Sequence, residues 1–361
     1  MINLYGLPLH KLEKLMIDEG QSKFRGKQLF TWIYEKEETN FDNMSDISKV
    51  FRDVLKEKYC LVKPSIFYKQ VASDGTIKLL LEMKDGSKVE TVLMRYNYGN
   101  VVCVTSQVGC NMGCSFCASG LLKKQRDLLP EEMVGQILVM NDLLKEENER
   151  VTHVVVMGTG EPFDNYDNVI DFVRIINDQK GLSIGARHIT VSTCGIPEKI
   201  IKYGTEGLQV NLAISLHAPN NELRSKIMPI NRAYPLEVLI PAIAEYIQTA
   251  NRRVTYEYIM LKDVNDSLEH AKQLVELIRP TYAYVNLIPY NPVDEHGYQR
   301  AESTKVKAFM DYCIKHGVNT TIRKEFGTDI DAACGQLRAK QEGILKWLNT
   351  HLKATKDLYV Q

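Results

Sequence analysis

The sequence predicts an α/β fold: a partial (β/α)6 barrel, preceded by a small N-terminal helical accessory region and a β-hairpin extension. Three observations carry this expectation. From Val101 onward, short β-branched runs alternate with helical periodicity, the pattern of parallel βαβ units with buried strands. Before residue 60 the periodicity is helical only. Between these regions, two strand-like runs flank Lys84-Asp85-Gly86-Ser87, which has the composition of a hairpin turn.

In chain order, helices are expected over 9–19, 26–36 and 45–58, then hairpin strands over 77–83 and 88–94. Barrel strands are expected over 101–106, 153–157, 188–192, 209–216, 253–260, 283–289 and 319–323. Helices are expected over 130–145, 168–178, 197–203, 236–250, 268–278 and 304–316, and a last one over 336–352. About six strand–helix repeats fit a full or partial barrel, whose reactive groups belong at the C-terminal ends of the strands. The expected organisation is an accessory domain with the β extension over 1–95, the barrel over 96–335 and a helical tail over 336–361.

The composition bounds the function. Of 361 residues, 44% are hydrophobic and 25% charged, as in ordinary soluble domains. Lys and Arg (45) balance Asp and Glu (45), for zero net charge. Any polyanionic partner must therefore meet a local basic surface. No apolar run is long enough to span a membrane. Residues 1–16 carry charges where a signal peptide needs an apolar stretch. A cytoplasmic protein without membrane partners is expected.

Eight cysteines are present, at 60, 103, 110, 114, 117, 194, 313 and 334. In a long chain without a secretion signal, this usage favours a metal site or catalytic thiols over a disulfide framework. Cys110, Cys114 and Cys117 have the spacing C-x3-C-x2-C directly after the first barrel strand. Three thiolates so close together can wrap one metal centre. Three ligands leave one corner of a cubane iron–sulfur cluster open, and a chelating cofactor such as S-adenosylmethionine can bind there. The competing reading is structural zinc, which normally takes four protein ligands; no second paired motif follows.

The longer motifs carry a resemblance. They are CVTSQVGCNMGCSFCAS (103–119), MGTGEP (157–162), ARHITVST (186–193), SLHAP (215–219), MPINR (228–232), VNLIPYNP (285–292) and DIDAACGQL (329–337), with FRGKQLFTWIY (24–34) near the N-terminus. Along most of its length the chain resembles the RlmN/Cfr family of radical-SAM RNA adenine methyltransferases. The resemblance implies a radical-SAM barrel with one [4Fe–4S] cluster on Cys110, Cys114 and Cys117. It assigns S-adenosylmethionine contacts to Gly160, Glu161, Ser192, Ser215, Leu216, His217 and Asn291. By position alone, several of these form a polar ring at strand ends, although each singly reads as a turn residue or helix cap.

Two further thiols matter. By composition, Cys103 and Cys334 read as small buried hydrophobes. Ala332, Ala333 and Gly335 around Cys334 suggest a loop able to bring its thiol into the barrel. The resemblance implies that one S-adenosylmethionine methylates Cys334 and that a second yields a radical that takes a hydrogen atom from that methyl group. The methylene adds to the adenine ring, and Cys103 then attacks the Cys334 sulfur to release the base. The product pair is a disulfide, which an external reductant resets. Glu90 matches the family's proposed acceptor of the ring proton, with Cys103 as the alternative. Read alone, Glu90 is an exposed strand carboxylate.

The implied partners are 23S rRNA, tRNA and a flavodoxin-like or ferredoxin-like electron donor, and a monomer is expected. Candidate RNA-contacting cations are Lys123, Lys124, Arg126, Arg187, His188, Arg252, Arg253, Arg323, Lys324, Arg338 and Lys340. Lys23, Arg25 and Lys27, interleaved with Phe24, Phe30 and Trp32, read equally as bundle core or RNA contact. Gly160-Glu161-Pro162 resembles the branch that methylates carbon 2 of adenosine. The segments 258–261 and 265–270 resemble the Cfr branch, which methylates carbon 8 of the same rRNA base and gives antibiotic resistance. A non-catalytic RNA-binding iron–sulfur protein and a radical enzyme for a small molecule or peptide remain as alternatives of other classes.

Overall fold

The computed structural model describes residues 1–330 except Asp294. Cys334, Arg338, Lys340 and the expected helix over 336–352 lie outside the described residues.

The N-terminal helices are α1 (Leu9–Asp18), α2 (Lys23–Phe30) and α3 (Lys49–Lys58). The helix expected over 26–36 changes winding at its middle. α2 ends at Phe30, and Thr31–Glu35 continues as a π turn, closed by the Lys36 N–H on the Thr31 carbonyl. The helix expected from 45 begins only at Lys49, because the Ser48 hydroxyl accepts the Phe51 N–H and caps it. Two-residue strands β1 (Ile2–Asn3) and β2 (Tyr59–Cys60) pair in parallel. Phe30 is core and Trp32 packs against it, while Phe24 is exposed. The core of these helices is continuous with that of the barrel helices.

The main sheet begins with β3 (Ser65–Val71), β4 (Ile77–Glu82) and β5 (Lys88–Tyr96), all antiparallel, and turns into β6 (Gly99–Cys103). β4 and β5 are the expected hairpin, and β3 adds a third strand to the extension. β7 (Gln107–Val108) and β8 (Arg126–Asp127) then clamp the loop between them. The alternation that follows is α4 (Pro130–Leu144), β9 (Val151–Val156), α5 (Tyr166–Asn177), β10 (Ile189–Thr193), α6 (Pro197–Thr205) and β11 (Asn211–Ser215). It continues through α7 (Asn221–Ile227), α8 (Leu236–Ala250), β12 (Val254–Met260), α9 (Leu268–Ile278), β13 (Ala283–Pro289), α10 (Ser303–Lys315) and β14 (Thr320–Ile322).

These strands form one ten-stranded sheet in the order β14-β13-β12-β11-β10-β9-β6-β5-β4-β3. β6 and β9 through β14 pair in parallel. Among the described residues β14 and β3 are its edges, so the barrel is partial. After β14 the chain crosses toward the other edge. The Gly327 N–H donates to Asp74 Oδ2 at 2.9 Å, and the Ser73 N–H donates to Asp329 Oδ2 at 2.9 Å.

Register sets the inner face. Residues alternate sides along a strand, so Glu90, Val92, Met94 and Tyr96 share one face of β5. Val92 stands opposite Lys78 on β4 and Cys103 on β6, and Cys103 stands opposite Val155 on β9.

Candidate active site

A cavity of about 530 Å³ opens at the C-terminal ends of the parallel strands. Cys110, Cys114 and Cys117 line it, together with Gly160, Glu161, Ser192, Ser215, His217 and Asn291. Nearly all the residues expected to act on cofactor thus share one space. Leu216 does not: its side chain is fully buried in the main core.

The thiol loop is held by backbone geometry. Gly109 has φ +83°, and a Cβ there would stand 2.2 Å from the Lys123 carbonyl oxygen. Only glycine permits that approach. The Cys110 N–H donates to the Leu122 carbonyl at 2.9 Å, and the Ser115 N–H donates to the Ile227 carbonyl at 2.9 Å. Phe116 and Met112 screen the thiols within a second apolar cluster. Burial pushes the Cys110 thiol up to about 11, helped by Cys117, and burial pushes Cys114 higher still.

Such thiols ionise when a cation binds, because the metal then pays for the charge. Among the described residues, no three His, Cys, Asp or Glu gather tightly enough for a single ion. A cubane asks less, since each thiolate takes its own iron. A half-buried trio of thiols lining the cavity beside an apolar cluster fits that group.

Two cations near this loop are committed. Arg126 donates to both oxygens of Glu132 at 2.7 Å and to Asp85 Oδ2 at 2.7 Å. Lys124 pairs with Asp127 at 2.8 Å and Asp164 at 2.7 Å. These side chains, expected as RNA contacts, tie the loop to its surroundings; Lys123 is exposed.

Beside the thiols, Gly158 and Gly160 bring the end of β9 against the chain leaving β6. A Cβ on Gly160 (φ +111°) would stand 2.6 Å from Gln107 Cβ. Gln107 Oε1 accepts the Glu161 N–H at 2.8 Å. The Glu161 carboxylate accepts backbone N–H groups from Phe163 (2.9 Å) and Cys194 (2.7 Å), and burial raises its pKa. The Thr193 and Cys194 side chains also donate to it, so the carboxylate is held in place by its surroundings at the cavity wall.

His217 takes a left-handed backbone, φ +59°. Its Nδ1 accepts the Ile259 N–H at 3.1 Å, and its ring stands edge-on to Phe116 at 5.0 Å. Burial pushes its pKa down to about 3, so the ring is neutral. Ser192 and Ser215 hydroxyls lie 3.4 Å apart.

Cys103 is buried with Val92, Met94 and Val101, against Met157 and Phe326. Val92, Met94, Met157 and Phe326 line the cavity, so Cys103 packs directly behind that wall without itself lining it. Glu90 is buried, not exposed, and its Oε2 lies 3.0 Å from Lys78 Nζ. No disulfide joins two of the described cysteines.

Four residues outside the sequence reading complete the site. Lys78 is one. Arg224 is fully buried and donates to Cys194 O (2.6 Å), Leu216 O (3.2 Å) and Asn231 Oδ1 (3.0 Å), fixing three walls. Glu257, on β12, lines the cavity and accepts from Asn286 Nδ2 at 2.9 Å; burial raises its pKa. Cys194 lines the cavity too. A charge inside an apolar strand was the available signal for Lys78 and Glu257.

Residues 104–278 match the model of the Radical SAM superfamily, and residues 2–61 match that of the ribosomal RNA large subunit methyltransferase N-terminal domain. The chain is 54% identical over 346 residues to the "probable dual-specificity RNA methyltransferase RlmN" of Spiroplasma citri, covering 96% of this chain and 100% of that protein. It is 56% identical over 344 residues to the protein of the same name from Enterococcus faecalis, covering 94% and 96% respectively. The crystal structure of a radical SAM methyltransferase from Sphaerobacter thermophilus superposes with a TM-score of 0.86 at 40% identity, covering 93% of this chain and 99% of that one.

Proposed function

The chain belongs to the RlmN family of radical SAM proteins, and on that premise we propose that it is a dual-specificity RNA methyltransferase acting on carbon 2 of adenosine in 23S rRNA and tRNA. One observation carries the reading: the three loop thiols, the Glu161 cradle and the wall holding Cys103 face one cavity. With a [4Fe–4S] cluster on Cys110, Cys114 and Cys117 and S-adenosylmethionine bound, the cofactors supply a 5′-deoxyadenosyl radical.

The protein's own groups do the rest. Glu161 and the backbone around Gly160 hold the cofactor's amino-acid end, and Ser192, Ser215, His217 and Asn291 surround the remainder. Neutral His217 offers a hydrogen bond without adding charge. Carbon 2 of adenine is electron-poor, so direct methyl transfer to it is disfavoured. Cys334 therefore carries the methyl group first, and its carbon bonds to the ring after losing a hydrogen atom. Glu90, or Cys103, takes the ring proton. Once the unpaired electron of the adduct has passed to a one-electron acceptor, a role the bound cluster would supply, the Cys103 thiolate attacks the Cys334 sulfur; the sulfur–sulfur bond forms as the carbon–sulfur bond breaks, and the freed carbon takes a proton to become the methyl group. Burial of Cys103 keeps solvent and small thiols from that exchange. The target adenosine must leave its stack to reach so deep a cavity. The residues 1–95 are proposed to serve RNA recognition, and a flavodoxin-like or ferredoxin-like protein to deliver electrons.

The test is nucleoside mass spectrometry after incubating reconstituted protein with S-adenosylmethionine, reductant, 23S rRNA and tRNA. The reading expects 2-methyladenosine in both RNAs. 8-Methyladenosine would replace the carbon-2 assignment, and RNA binding without 5′-deoxyadenosine would favour a non-catalytic protein.

A further inference from the structure

The active-site end of the barrel is accounted for, but the opposite end carries an unassigned array of rings. It starts at Phe326, on the cavity wall. Phe326 packs on Tyr96 with centroids 4.4 Å apart, and Tyr96 stacks on Tyr98 at 4.7 Å and 24°. Tyr98 meets the edge of His153 at 5.0 Å, and His153 stacks on His188 at 4.1 Å and 25°.

The register explains the path. Tyr96 continues the β5 column of Glu90, Val92 and Met94, of which Val92 and Met94 line the cavity. Tyr98 lies in the turn into β6, His153 near the start of β9, and His188 just before β10. The array therefore leads from the cavity wall to the N-terminal edge of the sheet. There Tyr98 is 59% exposed, and His188 is exposed too.

Cations flank both ends. Lys324 Nζ lies 4.8 Å from the Phe326 ring centroid and 6.0 Å from that of Tyr96. Arg187, beside His188, is exposed; Asn211 donates to its carbonyl at 2.8 Å and accepts from Arg252 at 2.6 Å. Single exposed rings are ordinary. Within the run Tyr96 packs on Tyr98 and His153 on His188; the outer faces of the exposed Tyr98 and His188, with cations at both ends of the run, match what unpaired nucleotides need: flat faces for bases and positive charge for phosphates.

We propose that this array is a stacking track for single-stranded nucleotides adjoining the target adenosine, held by ring faces and not by base edges. The proposal rests on RNA being the substrate. It assigns the entering strand to the N-terminal end of the sheet, away from the thiol loop, where Lys124 and Arg126 are already paired.

The test measures fluorescence anisotropy of a fluorescein-labelled single-stranded oligoadenylate with the reconstituted full chain. Tyr98→Ala/His188→Ala is expected to bind about tenfold more weakly or worse, since each stacked base contributes substantially. Tyr98→Phe keeps the ring face and is expected to bind as the parent does. The KM for RNA in methylation rises with the binding loss. Both side chains are exposed, and matching melting curves verify that the fold is kept. Unchanged affinity in the double variant overturns the proposal, as does Tyr98→Phe behaving like Tyr98→Ala. Ring-dependent binding by a parent protein that methylates no RNA would leave the track standing and remove the proposed function.

Discussion

Lys78 Nζ lies 3.0 Å from Glu90 Oε2, with both side chains almost wholly buried. Glu90 is one strand and Lys78 two strands from Cys103, all on the same sheet face. Breaking a buried pair by removing one partner costs roughly 3–5 kcal/mol, because a charge is left uncompensated. Lys78→Met is therefore expected to lower stability by about 3 kcal/mol, and Lys78→Met/Glu90→Gln to recover most of it. Denaturant unfolding of the singles and the double checks this. Equal losses in the single and the double would show that the pair is not coupled.

Gly109 sets the thiol loop. Alanine there puts a Cβ 2.2 Å from a backbone oxygen, at a φ that side chains disfavour. Gly109→Ala is expected to keep the fold and lose cluster loading. Iron and sulfide per chain after reconstitution measure it; parent-like loading would contradict the account.

Arg224 holds three acceptors at once. Each buried group left without a partner costs about 1–3 kcal/mol. Arg224→Met should lower unfolding stability by at least about 2 kcal/mol and weaken S-adenosylmethionine binding, because Cys194 and the Ser215–His217 turn drift. Equilibrium dialysis with reconstituted protein reads the second effect.

His217 makes stability depend on pH. Its folded pKa, about 3, lies below the ordinary value, which is about 6.5. Between these values the unfolded chain binds the extra proton, so stability falls as pH drops through that window. The slope approaches about 1.4 kcal/mol per pH unit, and above the ordinary value the contribution is fully present. His217→Asn tolerates the left-handed backbone and should flatten the slope. Unfolding at a series of pH values compares the two.

How far the sequence reached follows from where its signals were local. The bounds of α8, α9 and β13 agree with expectation, since Asn251 takes a left-handed cap and the Ser267 hydroxyl caps α9. β3 escaped because it is exposed almost throughout, leaving no alternation to read. The π turn at Thr31–Glu35 escaped because hydrophobic spacing hardly distinguishes it from an α-helix. The thiol loop and Gly160-Glu161 were legible as motifs, and the cavity brings them together. Lys78, Arg224 and Glu257 were not, since a charge in a strand or short helix reads as solvent-facing until its tertiary partners are known. Cys334 lies outside the described residues, so its meeting with Cys103 stays part of the proposed function.

The central claim is that the methyl carbon passes through a thiol of this chain and loses a hydrogen atom on the way. S-adenosylmethionine with a trideuterated methyl group tests it most directly, with mass spectrometry of the modified adenosine. The account predicts a new methyl group retaining two of the three deuterium atoms, and none formed by Cys334→Ala. Retention of all three, or methylation undiminished in Cys334→Ala, would contradict it.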